Sequence, residues 1–181
     1  MIELVPYDAE RHRGGVREVL ARNGWDERYV AGQLDALYIL SADTSPGTRG
    51  RVYVHEAEEG RVGGFVSVEF REWNRLGQLH GLAVDPHLKR RGIASALVHR
   101  AEEFVRGEGG RGLYVDTPVT NEIGRRFYEC SGSFVRCPLR ATYRITPCGS
   151  CRLRTLKGRM HPTWSNVSCA SARRLVVRRR S

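Results

Sequence analysis

LHGLAVDPHLKRRGIASAL, residues 79–97, decides the fold, because it runs a strand through a turn into a helix. The apolar run Leu79 to Val84 reads as a strand and stops at Asp85-Pro86. Lys89 to Ala94 then opens a helix with apolar residues at Ile93, Ala96, Leu97 and Ala101. The first turn of such a helix presents unsatisfied N–H groups and a positive dipole end, which together suit a pyrophosphate. Gly92 and Ala94 are small enough to let phosphates approach the backbone. Lys89, Arg90 and Arg91 add positive charge at the same place. The bland alternative is that strand, Pro turn and basic helix start are plain packing, since short Gly motifs recur by chance.

Neither common nucleotide loop is present here: there is no GxGxxG, and no GxxxxGK followed by Ser or Thr. The stretch instead resembles the acetyl-coenzyme A signature of the GCN5-related N-acetyltransferases (GNAT family). There a strand ending in an apolar-Ala-Val-x-Pro phrase precedes Arg or Gln, two residues, Gly, one residue, and Gly or Ala. Lys89 stands where Arg or Gln is usual and keeps the charge. A second block extends the resemblance. Leu113 to Asp116 reads as a strand, Thr117 to Thr120 as a loop, and Asn121 to Ser131 as a helix capped by Thr120 or Asn121. Asn121, Gly124, Tyr128 and Gly132 fall at the spacing the family shows on its cofactor-side helix. The resemblance covers residues 1 to about 132. It implies an α/β (α+β) GNAT fold, a mixed central sheet of about six to seven strands flanked by about four helices.

The rest of the chain reads in that order. Ile2 to Pro6 is a strand, Ala9 to Arg22 and Glu27 to Leu40 are helices, and Arg51 to Ala57 and Val62 to Phe70 alternate as strands around a Glu58–Arg61 turn. Arg71 to Gly77 is a second turn into the strand ending at Val84, so three strands form an antiparallel meander before the crossover.

The chain has 181 residues, enough for one sizeable core, and lacks both an 18-residue apolar run and a basic-then-apolar start; a cytoplasmic protein is expected. Its net charge of +10 is unevenly placed. Residues 1 to 132 hold 18 basic and all 20 acidic residues, whereas residues 133 to 181 hold 12 basic and none acidic. That shift suggests a catalytic domain over 1–146 and a basic, disordered Cys/Ser/Arg-rich tail over 147–181. One reading of so abrupt a change is a shifted reading frame near residues 130 to 150. Cys148, Cys151, His161 and Cys169 lack the compact second pair of common zinc modules, and no metal is expected. The Arg-rich end carries no aromatic interleaving, so nothing supports specific nucleic-acid binding.

Amine acetylation needs a bound thioester, a neutral amine, a route for its proton and a donor for the leaving thiolate. The resemblance implies acetyl-CoA as cofactor, held by the backbone of Leu82, Ala83 and Val84 and by Lys89, Arg90, Arg91, Gly92, Ile93 and Ala94. A backbone N–H near Leu82 would polarise the carbonyl. Tyr128 would both contact the cofactor and protonate its sulfur; its bland reading is a helix aromatic. Asn121 either bonds the pantetheine arm or only caps its helix. Some relatives carry a Glu base where this chain has Gln78. His80, two residues on and on the same face by strand alternation, is the candidate base. Glu69 or Glu72 acting through water, or positioning with no dedicated base, are the alternatives. Trp25, Tyr29, Glu69, Glu72 and Trp73 are candidate acceptor contacts, since acidic and aromatic groups suit a cationic amine of a small molecule or peptide. Asp26, Glu27, Asp35 and Tyr38 lie in the same segments. A homodimer is compatible with the family. The competing reading is a CoA-binding module of little catalysis, tethered to nucleic acid by its tail.

Overall fold

The computed structural model describes residues 2–42, 46–118, 120–130, 140–145, 167–168 and 176–177. Two compact units divide the chain, Met1–Leu113 and Tyr114–Ser181. The first contains β1 (Leu4–Pro6), α1 (Ala9–Arg22), α2 (Glu27–Ala42), β2 (Thr48–Glu56), β3 (Val62–Arg71), β4 (Leu76–Val84) and α3 (Ile93–Gly107). β5 (Gly112–Pro118) spans the division. The second unit continues with α4 (Glu122–Cys130), β6 (Arg140–Ile145) and the short strands β7 (Val167–Ser168) and β8 (Val176–Val177), which pair antiparallel. The mixed α/β order expected from the sequence is the order observed, with six strands and four helices among the described residues from Leu4 to Ile145. The expected 146/147 boundary and the four tail residues Cys148, Cys151, His161 and Cys169 lie outside the described residues. No helix among the described residues is long and apolar enough to cross a membrane.

Local chemistry starts and stops the elements. Asp8 precedes α1 in extended conformation and its carboxylate accepts from Arg11 N–H at 3.0 Å. Asn23 and then Gly24, at φ 81°, end that helix, with Gly24 N–H bonded to Ala21 O at 2.9 Å. Asp26 caps α2 by accepting from Tyr29 N–H. Between β2 and β3 the chain makes a 3-10 turn, Glu58–Gly60, as the sequence predicts.

β1 to β4 pair antiparallel in sequence order, and their register sorts the core into two layers. Val52, Val54, Phe65 and Ala83 share the face that packs on Val16, Val19 and Leu20 of α1 and on Val30, Leu34 and Leu37 of α2. Tyr53, Val66, Val68, Phe70 and Leu79 face the other way, where α3 supplies Leu97, Val98, Ala101, Phe104 and Val105. Two arginines clasp α3 to β2 reciprocally. Arg51 of β2 lies 5.5 Å from the Phe104 ring centroid, and Arg100 of α3 lies 4.8 Å from that of Tyr53. After α3, Arg111 N–H bonds to Arg75 O at 2.8 Å, and a Cβ at Gly77 would meet the Leu113 side chain. β5 thus enters beside the start of β4.

His12 is buried in this layer at 1% exposure with both ring nitrogens engaged. Nδ1 accepts from Asp8 N–H at 2.8 Å, and Nε2 lies 2.9 Å from Glu56 Oε1. That is a satisfied structural histidine at the sheet edge.

Two glycines make a controlled test of packing. A Cβ at Gly50 would sit 2.2 Å from Leu40 O, a backbone atom of α2 that cannot step aside alone. Gly14, within α1, has nothing within 4 Å of such a Cβ. Gly50→Ala is expected to cost about 1–3 kcal/mol, whereas Gly14→Ala should gain about 0.5–1 kcal/mol. Urea-denaturation midpoints measure both, and equal effects would contradict this packing.

Candidate active site

Everything in the predicted phosphate turn hangs from the end of β4. Asp85, 5% exposed, follows Val84; its N–H donates to Gly63 O at 2.9 Å and its carboxylate accepts from His87 N–H at 2.9 Å and from Arg22 Nη1 at 2.6 Å. Burial alone would push this carboxyl up, but the His87 N–H bond and the Arg22 guanidinium outweigh it and hold the value below the ordinary 3.8. Asn23, at the end of α1, donates to Val84 O at 3.1 Å. That carbonyl is therefore engaged in joining α1 to β4.

Pro86–Leu88 form a single 3-10 turn, and Lys89 leaves it in extended conformation. Arg90 has φ 65° and Gly92 φ 80°, so the chain passes through the left-handed region twice in three residues. α3 begins only at Ile93, which corrects the expected start at Lys89: a residue at φ 65° cannot belong to a right-handed helix. The first bond of the helix runs from Ala96 N–H to Gly92 O at 3.0 Å, leaving Ile93, Ala94 and Ser95 N–H ahead of it with no intrahelical acceptor. Space at Gly92 is open, its nearest prospective Cβ contact being Ile2 Cδ1 at 3.7 Å. The need for glycine there is conformational rather than steric. Lys89, Arg90 and Arg91 are exposed, and none has an acidic partner among the described residues. Free donors, an approachable backbone and three uncommitted cations fit the pyrophosphate of coenzyme A.

β4 departs from simple alternation at the candidate base. Ser67 of β3 faces Gly81, whereas Val68 faces Leu79, so His80 is the extra residue of a bulge in the β3–β4 register. Gln78 and His80 lie on one side of the sheet, as strand alternation predicts, and the bulge sends Leu82 to the other. Leu82 lies opposite Val66 on the α3 side; Gln78 lies opposite Glu69 on the α2 side. His80 turns to the α2 side as well, its Nε2 3.5 Å from Glu69 Oε2. Glu69 is also paired through Oε1 with Arg71 Nε.

The acceptor candidates divide into groups. Trp25 and Tyr29 stack edge to face at 4.8 Å, with Trp25 packed on the core and Tyr29 51% exposed. Trp73, at the β3–β4 turn, is 80% exposed; beside it Glu72 is paired with Arg49 at 2.9 Å. Asp35 is paired with Arg13, and Glu27 with Arg17. Sequence reading missed Gln33 and Ser67. A Cβ at Gly81 would lie 2.8 Å from Gln33 Nε2 and 3.0 Å from Ser67 Oγ, and that buried hydroxyl has no hydrogen-bond partner among the described residues. The bare Gly81 was the one signal for so close an approach.

In the second unit, Asn121 caps α4: Oδ1 accepts from Gly124 N–H at 3.0 Å and Nδ2 donates to Thr117 Oγ1 at 2.9 Å. Its amide is thus engaged at both ends, by the helix it caps and by the strand before it. Tyr128 is buried at 5% exposure, its ring edge-on to Phe127 at 5.1 Å.

Residues 20–132 match the acetyltransferase (GNAT) family. Among solved structures the chain is similar to an acetyltransferase of that family from Desulfovibrio desulfuricans, with TM-score 0.68 and 19% identity over 81% of this chain and 99% of the other. It is also similar to the PaiA N-acetyltransferase of Thermoplasma acidophilum in complex with coenzyme A, with TM-score 0.64 and 17% identity over 81% and 99%. A GNAT-family acetyltransferase from Staphylococcus aureus gives TM-score 0.63 and 13% identity over 80% and 98%. No curated protein sequence matches it.

Two measurements probe the turn. Because the folded Asp85 value is depressed, its stabilisation is complete above the unfolded value near 4 and disappears as pH falls through the folded one. Asp85→Asn should lower stability by about 1–3 kcal/mol at pH 7 and by progressively less below pH 4, read as urea midpoints against pH. Arg90→Gly should relieve left-handed strain, gaining about 1 kcal/mol in the same assay while weakening coenzyme A binding.

Proposed function

Because the chain belongs to the acetyltransferase (GNAT) family, we propose that it moves an acetyl group from acetyl-CoA to a primary amine of a small molecule or peptide, by direct attack in a ternary complex. The observation that supports this most is the turn from Asp85 to Ser95, which joins an approachable backbone, helix N–H groups with no intrahelical acceptor and three cations that have no acidic partner among the described residues. Lys89 to Ala94 would hold the pyrophosphate, with the backbone at Leu82 and Ala83 toward the pantetheine arm. Acetyl-CoA, when bound, supplies an activated acyl thioester.

The chain's own groups then have simple tasks. A backbone N–H near Leu82 steadies the carbonyl oxygen as charge builds on it. His80, at the bulge, takes the proton from the amine nitrogen. Tyr128, buried at 5% exposure, gives a proton to the departing sulfur. Tyr29 and Trp73, both exposed aromatics, and Glu69 supply the surface for a cationic acceptor.

Thiol release from acetyl-CoA with a panel of amines, beside calorimetric binding of coenzyme A, tests the proposal. Turnover with an amine is expected. Replacing Lys89, Arg90 and Arg91 together by Ala should weaken coenzyme A binding by about 10-fold or more and flatten its salt dependence. Tyr128→Phe should lower kcat by about 100-fold with cofactor affinity retained. Binding without turnover on any amine would instead favour a module that only holds the cofactor.

A further inference from the structure

We propose that Ser67 and Gln33 form a neutral polar contact for the acceptor, selecting amines that carry a hydroxyl or amide group close to the nitrogen; the inference rests on the amine-acetylation reading above. Ser67 interrupts the buried apolar stretch Phe65 to Val68 of β3 and is itself 0% exposed. Its hydroxyl has no hydrogen-bond partner among the described residues. A hydroxyl left unpaired in an apolar layer weakens the fold, and an arriving polar group that pairs with it recovers that loss on binding. α2 brings the second polar group. Gln33 is half-buried, and its Nε2 lies 2.8 Å from the place that a Cβ on Gly81 would take, with Ser67 Oγ 3.0 Å from the same place. The two atoms therefore lie within about 6 Å of each other without bonding, a span that one oxygen bridges with two ordinary hydrogen bonds.

The surroundings say what that group is. Phe65 Cε2, 3.3 Å from the same place, makes one wall apolar, and a hydroxyl and a carboxamide are both neutral. A charged group would lose its hydration there for little return, whereas a hydroxyl or an amide meets groups that both donate and accept. The carboxylate that suits an ammonium is Glu69, two residues along β3 on the same face and about 7 Å away by strand spacing. An amine seated at Glu69 and His80 thus reaches Ser67 only with a polar group a few bonds from its nitrogen. That describes a β-amino alcohol or an α-amino amide rather than a plain alkylamine. Gly81 keeps the approach clear, since any side chain there would strike Gln33 and Ser67. Gln33, the end of a flexible side chain on the more open side, is the member that shifts to admit the group.

Matched amines test the contact through thiol release from acetyl-CoA: ethanolamine against propylamine, glycinamide against isobutylamine, and the best acceptor of the panel against its analogue with methyl in place of hydroxyl or isopropyl in place of amide. The wild-type chain should favour the polar member by about 10-fold or more in kcat/KM. Ser67→Ala should bring that preference within about twofold, chiefly through the KM of the polar member, and should raise the urea midpoint of the free protein, since an unpaired hydroxyl is gone. Gln33→Leu should also shrink the preference while leaving the midpoint nearly unchanged. A best acceptor with neither hydroxyl nor amide, or a preference that both variants leave intact, overturns the contact and leaves the acetylation reading standing. So does a midpoint lowered by Ser67→Ala, which would mean that the hydroxyl is already bonded inside the fold. Absence of turnover with every amine removes the acetylation reading, and the contact with it.

Discussion

A carboxylate buried at the end of a strand makes the rest of this structure possible. Asp85 receives hydrogen bonds from the turn that follows it and from an arginine at the end of α1, while its own N–H reaches back to β3. Three elements distant in sequence are thereby held at one point. Leaving that carboxylate unpaired in so enclosed a position would cost several kcal/mol, so its two donors stand or fall as a set. The direction in which the chain leaves β4, and hence where α3 begins, follows from this knot.

The amphipathic layers behind it are ordinary in their physics. One sheet face takes the apolar sides of α1 and α2, the other takes α3, and the alternation along β2 and β3 leaves few choices of register. Polar groups enter the interior where backbone demands them: His12 completes the start of α1, and Asn23 joins its end to β4.

The sequence makes most of this legible. Helical spacing from Val16 to Leu37 and alternation from Val52 to Phe70 yield the elements nearly as they stand, since each has one clear apolar face. What escapes is backbone irregularity. Period-two reasoning places Gln78 and His80 on one face, but it does not show the single extra residue on β4 that sends Leu82 to the other; only Gly81, next to the bulge, hints at it. Likewise Lys89 to Arg91 look like a first helical turn because basic residues are good helix formers. The left-handed Arg90 is imposed by the Asp85 turn and has no local sequence signature. Asn121 was ambiguous because one amide can serve either a helix cap or a ligand, and only the positions of Thr117 and Gly124 reveal what engages it.

The reciprocal arginine contacts between β2 and α3 also have a mechanical meaning. Arg51 reaches from strand to helix and Arg100 from helix to strand, each ending on an aromatic face. One such contact would let the helix pivot about it. Two, pointing in opposite senses, form a latch against sliding, because a shift of α3 by one turn, about 5.4 Å, unseats both at once. The height of the helix's first turn above the sheet is therefore gauged from its middle, by residues that never approach a phosphate.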